Sequence, residues 1–171
     1  MIIPAASFGN RMKSLGPKAL IDIKDNLSIL ENQLKYIYRY LHKPEIVLIA
    51  GFEAAKIKSV LRNRRNVKVV ENEGWEDSNV VKSLRLGVEQ ATHKNLLTIY
   101  GDLVFNAWTL KLPIGPYSLI VSDRYGLMKE EEVGYVVHKN MLENMMYGLP
   151  NKWAQIAYFT GKEAEIFKQL L

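Results

Sequence analysis

No cysteine occurs among the 171 residues, so disulfides and thiolate metal centres are excluded, and the chain suits a reducing compartment. Nor does any apolar run approach the roughly 18 residues of a membrane-spanning helix. The opening Met1-Ile2-Ile3-Pro4 has no basic stretch ahead of a long apolar segment, so no secretory signal is expected and a cytoplasmic location is the default. Gly-x-Ser-x-Gly, His-Glu-x-x-His and Walker A sequences are all missing, which removes the usual markers of serine hydrolases, zinc peptidases and P-loop nucleotidases. His42, His93 and His138 are too widely spaced to form a metal-ligand pattern. Repeats, low-complexity tracts and linkers are absent too, and the length fits one domain over 1–171 with a sizeable core.

What is present is an ordinary globular balance: 48% hydrophobic and 24% charged residues argue against disorder. The net charge of +5 and pI near 9.3 favour anionic ligands, whether nucleotides, sugar phosphates or nucleic acid. The densest basic cluster, Arg62-Asn63-Arg64-Arg65, follows an amphipathic segment, where cations favour a helix C-terminus. No aromatic residue is interleaved with it, so nucleic-acid binding has little support.

Strand-like and helix-like segments alternate, which is the pattern of an α/β fold with a largely parallel sheet. Strands are expected over 2–6, 45–50, 67–70 and 95–100, then over 117–122, 133–138 and 154–159 with a mixed or antiparallel portion. Ser28-Ile29-Leu30-Glu31 is a capping-box sequence, and Leu30, Leu34, Ile37 and Leu41 repeat behind it at helical spacing. Ile57, Val60 and Leu61 share one face of a short helix, and Val80, Leu84, Val88 and Ala91 one face of another. Thr160-Gly161-Lys162-Glu163 is a second capping box, opening a last helix that runs to Leu171. Tyr36, Tyr38 and Tyr40 lie in the first long helix as packing residues.

Three segments could carry chemistry. The first strand runs into Ile3-Pro4-Ala5-Ala6-Ser7-Phe8-Gly9-Asn10-Arg11-Met12, with Pro17-Lys18 four residues on. Small residues let backbone N–H groups approach a polyphosphate. Arg11 can grip two phosphate oxygens with its planar fork, and Lys18 can act as a mobile point charge. Asp102 closes the apolar run Leu96–Ile99 and Tyr100-Gly101, at the carboxyl end where open α/β sheets place ligands; capping of the following turn is the alternative role. Between them, in the run from Val70 to Leu84, Asn72, Ser78 and Asn79 offer donors and acceptors suited to a base edge. Ser78 or Asn79 would serve equally as the N-cap of the helix from Val80.

These segments, in this order, resemble the sugar-phosphate nucleotidyltransferases, whose signature is roughly A-A-G-x-G-[ST]-R-M-x4-P-K followed by Gly-Asp-x-x-Phe. The run from Asn72 to Leu84 is similar to the Asn-x-x-[WY]-x-x-[ST]-Asn-x-x-x-Ser-Leu loop of the phosphocholine cytidylyltransferase-like branch. Ser7 replaces the family's first loop glycine, and Asn10 its usual Ser or Thr. The resemblance covers residues 1 to 106 and implies a Rossmann-like, GT-A-type α/β sandwich with a mostly parallel mixed sheet flanked by helices. It implies nucleotide contacts from Ala5, Ala6, Ser7, Gly9, Asn10, Asn72, Ser78 and Asn79. Arg11, Lys18 and Asp102 would be catalytic, and Asp102 would hold Mg²⁺. The partners so implied are an NTP, with CTP or UTP favoured, and a phosphorylated small acceptor such as a sugar phosphate or phosphocholine.

The family continues to a C-terminal acidic or amide residue that completes its metal site, and no counterpart stands here; Asp123, Glu130, Glu131 and Glu132 read as a solvated loop. A homodimer could supply the missing ligand. The alternative is a truncated, non-catalytic nucleotide-binding or interaction module. No Asp-x-Asp stands at Gly101-Asp102-Leu103, which weighs against a glycosyltransferase on a related fold.

Overall fold

The computed structural model describes residues 1–7, 16–24, 26–111 and 115–171. Four parallel strands form its centre: β1 (Ile2–Ala5), β4 (Ile46–Ala50), β5 (Val67–Glu71) and β6 (Leu96–Ile99). A small antiparallel pair, β2 (Asp22–Lys24) and β3 (Leu27–Ser28), lies apart from them. The connecting helices are α1 (Ile29–Tyr40), α2 (Ala54–Leu61) and α3 (Val80–Gln90). Beyond β6 the sheet turns antiparallel through β7 (Leu119–Asp123), β8 (Val133–His138), β9 (Met141–Tyr147) and β10 (Asn151–Phe159), and α4 (Gly161–Leu170) closes the chain. The strand order is β5-β4-β1-β6-β10-β8-β9, with β7 also paired to β10. This is the mixed, mostly parallel α/β architecture expected from the alternation of segments.

Alternation along the central strands divides the core between two faces. Ile3, Leu48 and Ile99 pack with Leu30, Leu34 and Ile37 of α1 and Ile57 of α2. Ile2, Val47, Ile49 and Leu96 face Leu84 of α3, with Phe167 of α4 packed against them. Phe159 and Phe167 stack at 4.1 Å. β1 and β4 are apolar throughout because both faces are covered by helices.

The capping box at Ser28 forms in full: Ser28 N–H donates to Glu31 at 3.1 Å, and Glu31 N–H returns to Ser28 Oγ at 3.3 Å. The second capping box does not form. Thr160 precedes α4, but its hydroxyl donates to Asn95 Oδ1 at 3.0 Å, a partner 65 residues away. Val60, expected on the buried face of its helix, is 42% exposed. β9 was not expected: Met141–Tyr147 has no clean alternation and forms only by pairing with β8. Among the described residues no helix is long and apolar enough to cross a membrane.

Gly87 lies where α3 crosses β1, and a β-carbon there would collide with Ile2 Cγ2. In an exposed helix Gly→Ala gains up to about 1 kcal/mol. Here overpacking reverses the sign: Gly87→Ala is expected to lower stability by about 1–3 kcal/mol in urea unfolding.

Candidate functional site

The strand order reverses at β1, with β4 on one side and β6 on the other. Chains leaving β1 and β6 therefore diverge, and a crevice opens at the carboxyl ends of the strands. A cleft of about 210 Å³ occupies that place. Ala5, Ala6 and Ser7 at the exit of β1, Lys18, the loop residues Asn72, Ser78 and Asn79, and Asp102 beyond β6 all line it. Eight of the eleven residues singled out in the sequence thus meet around one opening, although they come from separate stretches of chain. Gly9, Asn10 and Arg11 lie outside the described residues.

Each wall has a local reason for its shape. Lys18 opens a short 3₁₀ turn, Lys18–Leu20, whose neighbours Pro17 and Ala19 are buried and fix it to the body. Its Nζ lies 2.9 Å from Asp102 Oδ2, and the two side chains are 29% and 35% exposed. The loop after β5 is tied to β4, with Asn72 N–H donating to Ala50 O at 2.7 Å. Asn72 itself is 1% exposed. Its Nδ2 donates to Ser78 Oγ at 2.9 Å, and Ser83 Oγ lies at 3.5 Å. Asn79 is the N-cap of α3, accepting from Val81 N–H at 3.0 Å. Of the two capping candidates, the structure selects Asn79 and gives Ser78 the buried amide as partner. The N-terminus of α3 opens on the cleft, where its free N–H groups favour an anion.

Sequence reading missed three contributors. Trp75 lines the cleft and meets Phe52 edge-on at 5.4 Å. Tyr100 lines it too, with its ring edge-on to Trp153 at 5.7 Å. Burial, with Asp102 adding, pushes the Tyr100 phenol up to about 12. Gln33 was hidden within the apolar face of α1. Trp75 and Tyr100 lie inside the three chemistry-bearing segments of the sequence, which does not give the direction of their side chains.

A second cavity, about 510 Å³, lies on the other side of the residues after Asp102, between Leu103, Phe105 and the strands β7 and β10. Gln155, at φ 58°, interrupts β10 between Trp153 and Ala157 and bends the strand away. Of the four acidic residues expected to be a solvated loop, Glu130 and Glu131 are exposed as expected, whereas Asp123 and Glu132 are tied into the wall of this cavity. Asp123 accepts from Tyr125 and Gly126 N–H groups at 3.1 and 2.8 Å. Glu132 accepts from Lys129 N–H at 2.9 Å and pairs with Lys152 at 2.8 Å, while Asp123 lies 3.7 Å from the same ammonium. Among the described residues no group of three His, Asp or Glu could hold a metal, so Asp102 is the carboxylate available in the first cleft.

No family model and no curated protein matches the chain. Solved structures do. CTP:phosphocholine cytidylyltransferase from Streptococcus pneumoniae is 22% identical with a TM-score of 0.73, over 96% of this chain and 72% of that one. Inositol-1-phosphate CTP transferase from T. maritima is 18% identical with a TM-score of 0.76, over 96% and 71%. A nucleotidyl transferase from Methanothermobacter thermautotroptrophicus is 22% identical with a TM-score of 0.62, over 98% and 72%. The chain has the fold of the sugar-phosphate and phosphocholine nucleotidyltransferases.

Backbone N–H donors first, then Lys152, hold Asp123 below the usual carboxylate range, and the Lys152 hydrogen bond does the same for Glu132. Depressed carboxyl values contribute stability above the ordinary 3.8 and 4.5 and lose it as pH falls below them. Lys152→Met is therefore expected to be less stable than wild type at pH 7, and the gap should close as urea unfolding is repeated towards pH 3.

Proposed function

We propose that the protein is a Mg²⁺-dependent nucleotidyltransferase that transfers NMP from an NTP to the phosphate of a small acceptor and releases pyrophosphate. The observation that carries this reading is the convergence of Lys18, Asp102, the β1 exit and the α3 N-terminus on one cleft at the strand-order reversal. An acceptor phosphate oxygen forms the new bond to the α-phosphorus, and the bond from that phosphorus to the bridging oxygen breaks. The acceptor is already an anion at neutral pH, so positioning and charge neutralisation do most of the work.

Mg²⁺ is commonly held by one or two carboxylates together with substrate phosphates. Asp102, partly exposed on the cleft, fits that donor set as the protein's contribution. The metal when bound neutralises polyphosphate charge. Lys18 supplies a second positive charge beside it, and Arg11 a third by its place in the sequence. The N–H groups at the β1 exit and the α3 N-terminus receive phosphate oxygens. Asn72, Ser78 and Asn79 border the base, with CTP or UTP favoured. Asn72 shapes that wall from behind, because its amide is already engaged with Ser78. The acceptor belongs in the second cavity, which adjoins the Asp102 turn at Leu103 and has a volume suited to a small phosphorylated molecule.

One observation favours a second reading, a non-catalytic nucleotide-binding module: the cleft's aspartate is paired to a lysine. Thermal unfolding with each of the four NTPs, with and without Mg²⁺, separates the two. At ~100 times Kd a bound nucleotide adds about 2.7 kcal/mol, or about 5–10 °C for a chain of this size. A Mg²⁺-dependent rise with one pyrimidine nucleotide, lost in Asp102→Asn, is the expected result. Pyrophosphate release should fall at least ~100-fold in that variant. Nucleotide binding without pyrophosphate release from any acceptor would leave the module reading standing. No rise with any NTP would overturn the transferase.

A further inference from the structure

The turn that carries Asp102 is held from behind by a residue with no part in the chemistry above. Gln33, in the middle of α1, is fully buried. Its Nε2 donates to Tyr100 O at 2.9 Å and to Leu103 O at 2.8 Å. Those carbonyls belong to the first and fourth residues of the turn, which Leu103 N–H also closes onto Tyr100 O at 3.3 Å. One amide nitrogen thus ties together both ends of a four-residue turn, and Asp102 stands between them. Gln33 Oε1 is shut off from solvent and has no hydrogen-bond partner among the described residues. An orphaned buried acceptor destabilises a fold. The neighbours Leu30, Leu34 and Ile37 on the same helix are apolar and fully or almost fully buried, so packing alone would be served better by an apolar side chain. The amide's distinguishing asset is two N–H bonds on one nitrogen, which match two carbonyls.

We infer that Gln33 is a positioning residue: its buried amide fixes the Tyr100–Leu103 turn so that the Asp102 carboxylate is pre-set to receive a divalent cation in the cleft. The role towards the cation rests on the nucleotidyltransferase reading; the clamp does not. Methionine at this position fills a similar volume and donates nothing. Glutamate keeps the shape but sets a carboxylate against two carbonyl oxygens. A turn released from α1 would let Asp102 sample other directions, and supporting-shell losses of this kind typically weaken metal binding ~10–100-fold.

The test uses the full chain as wild type, Gln33→Met and Gln33→Glu. Hydrogen exchange is followed across 100–104, and the rise in Tm induced by whichever of the four NTPs stabilises the wild type is titrated with Mg²⁺. Both variants should exchange faster in the turn while β4 keeps its protection. The Mg²⁺ concentration at half the rise should increase ~10-fold or more, with the rise recovered at saturating Mg²⁺. An unchanged Mg²⁺ midpoint in a folded variant overturns the positioning role, whatever the exchange shows, because a merely structural residue would not move it. A wild type with no Mg²⁺-dependent rise with any of the four NTPs overturns the transferase reading instead, and the exchange rates, which need no ligand, then decide the clamp. Should both variants unfold, the Gln33 side-chain amide protons of the wild type decide it: exchange as slow as that of β6 backbone amides supports the clamp, and exchange as fast as that of a surface glutamine overturns it.

Discussion

The close approach of two strand exits governs the carboxyl edge of the sheet. Gly101 lies so near β1 that a β-carbon would sit 2.6 Å from Ala5 Cβ and 3.1 Å from Pro4 O, and its N–H donates to Pro4 O at 3.0 Å. No other residue type would allow that distance. The approach brings Asp102 within reach of Lys18, and the reversal of strand order opens the cleft between them and the β5 loop. A wider spacing here would leave the same residues on separate walls.

Around this contact, backbone and charge are held in different ways. The backbone is fixed by buried groups: Gln33 on the turn after β6, Asn72 on the loop after β5, and Ala50 O receiving Asn72 N–H. The charges are not. Lys18 and Asp102 are each about one-third exposed, and ion pairs near solvent contribute at most about 1 kcal/mol. Such a pair exchanges readily, so in the proposed reaction the lysine would take a phosphate oxygen and the aspartate a cation without disturbing the fold. Fixed walls with exchangeable charges are what the proposed nucleotidyl transfer would require of this cleft.

The antiparallel half of the sheet follows a different rule. Its strands depend on one another for pairing, and the interruption at Gln155 bends β10 so that a second cavity lies beside Leu103. Asp123, Glu132 and Lys152 tie the far wall together. Solved nucleotidyltransferases share this whole architecture at 22% identity or less. Fold alone does not name a substrate.

Local rules were enough for the parallel half. Buried strands β1 and β4 announce themselves as apolar runs, the Ser28 capping box fixes the start of α1, and small residues with Asp102 mark the strand exits. The order of these segments also carried the likeness to nucleotidyltransferases. What no local rule could give depends on partners distant in the chain. β9 lacks an alternating pattern and exists through β8; Thr160 abandons its capping role for Asn95; Asn72 turns inward to Ser78 and Ser83. Gln33 reads in sequence as a polar residue in a helix, yet it reaches Tyr100 and Leu103 across separations of 67 and 70 residues. Periodicity and capping act within a few residues, so the sequence by itself determined the elements and the residue types at their ends. The direction of each buried polar side chain, and with it the geometry of the cleft, was decided only when distant segments packed.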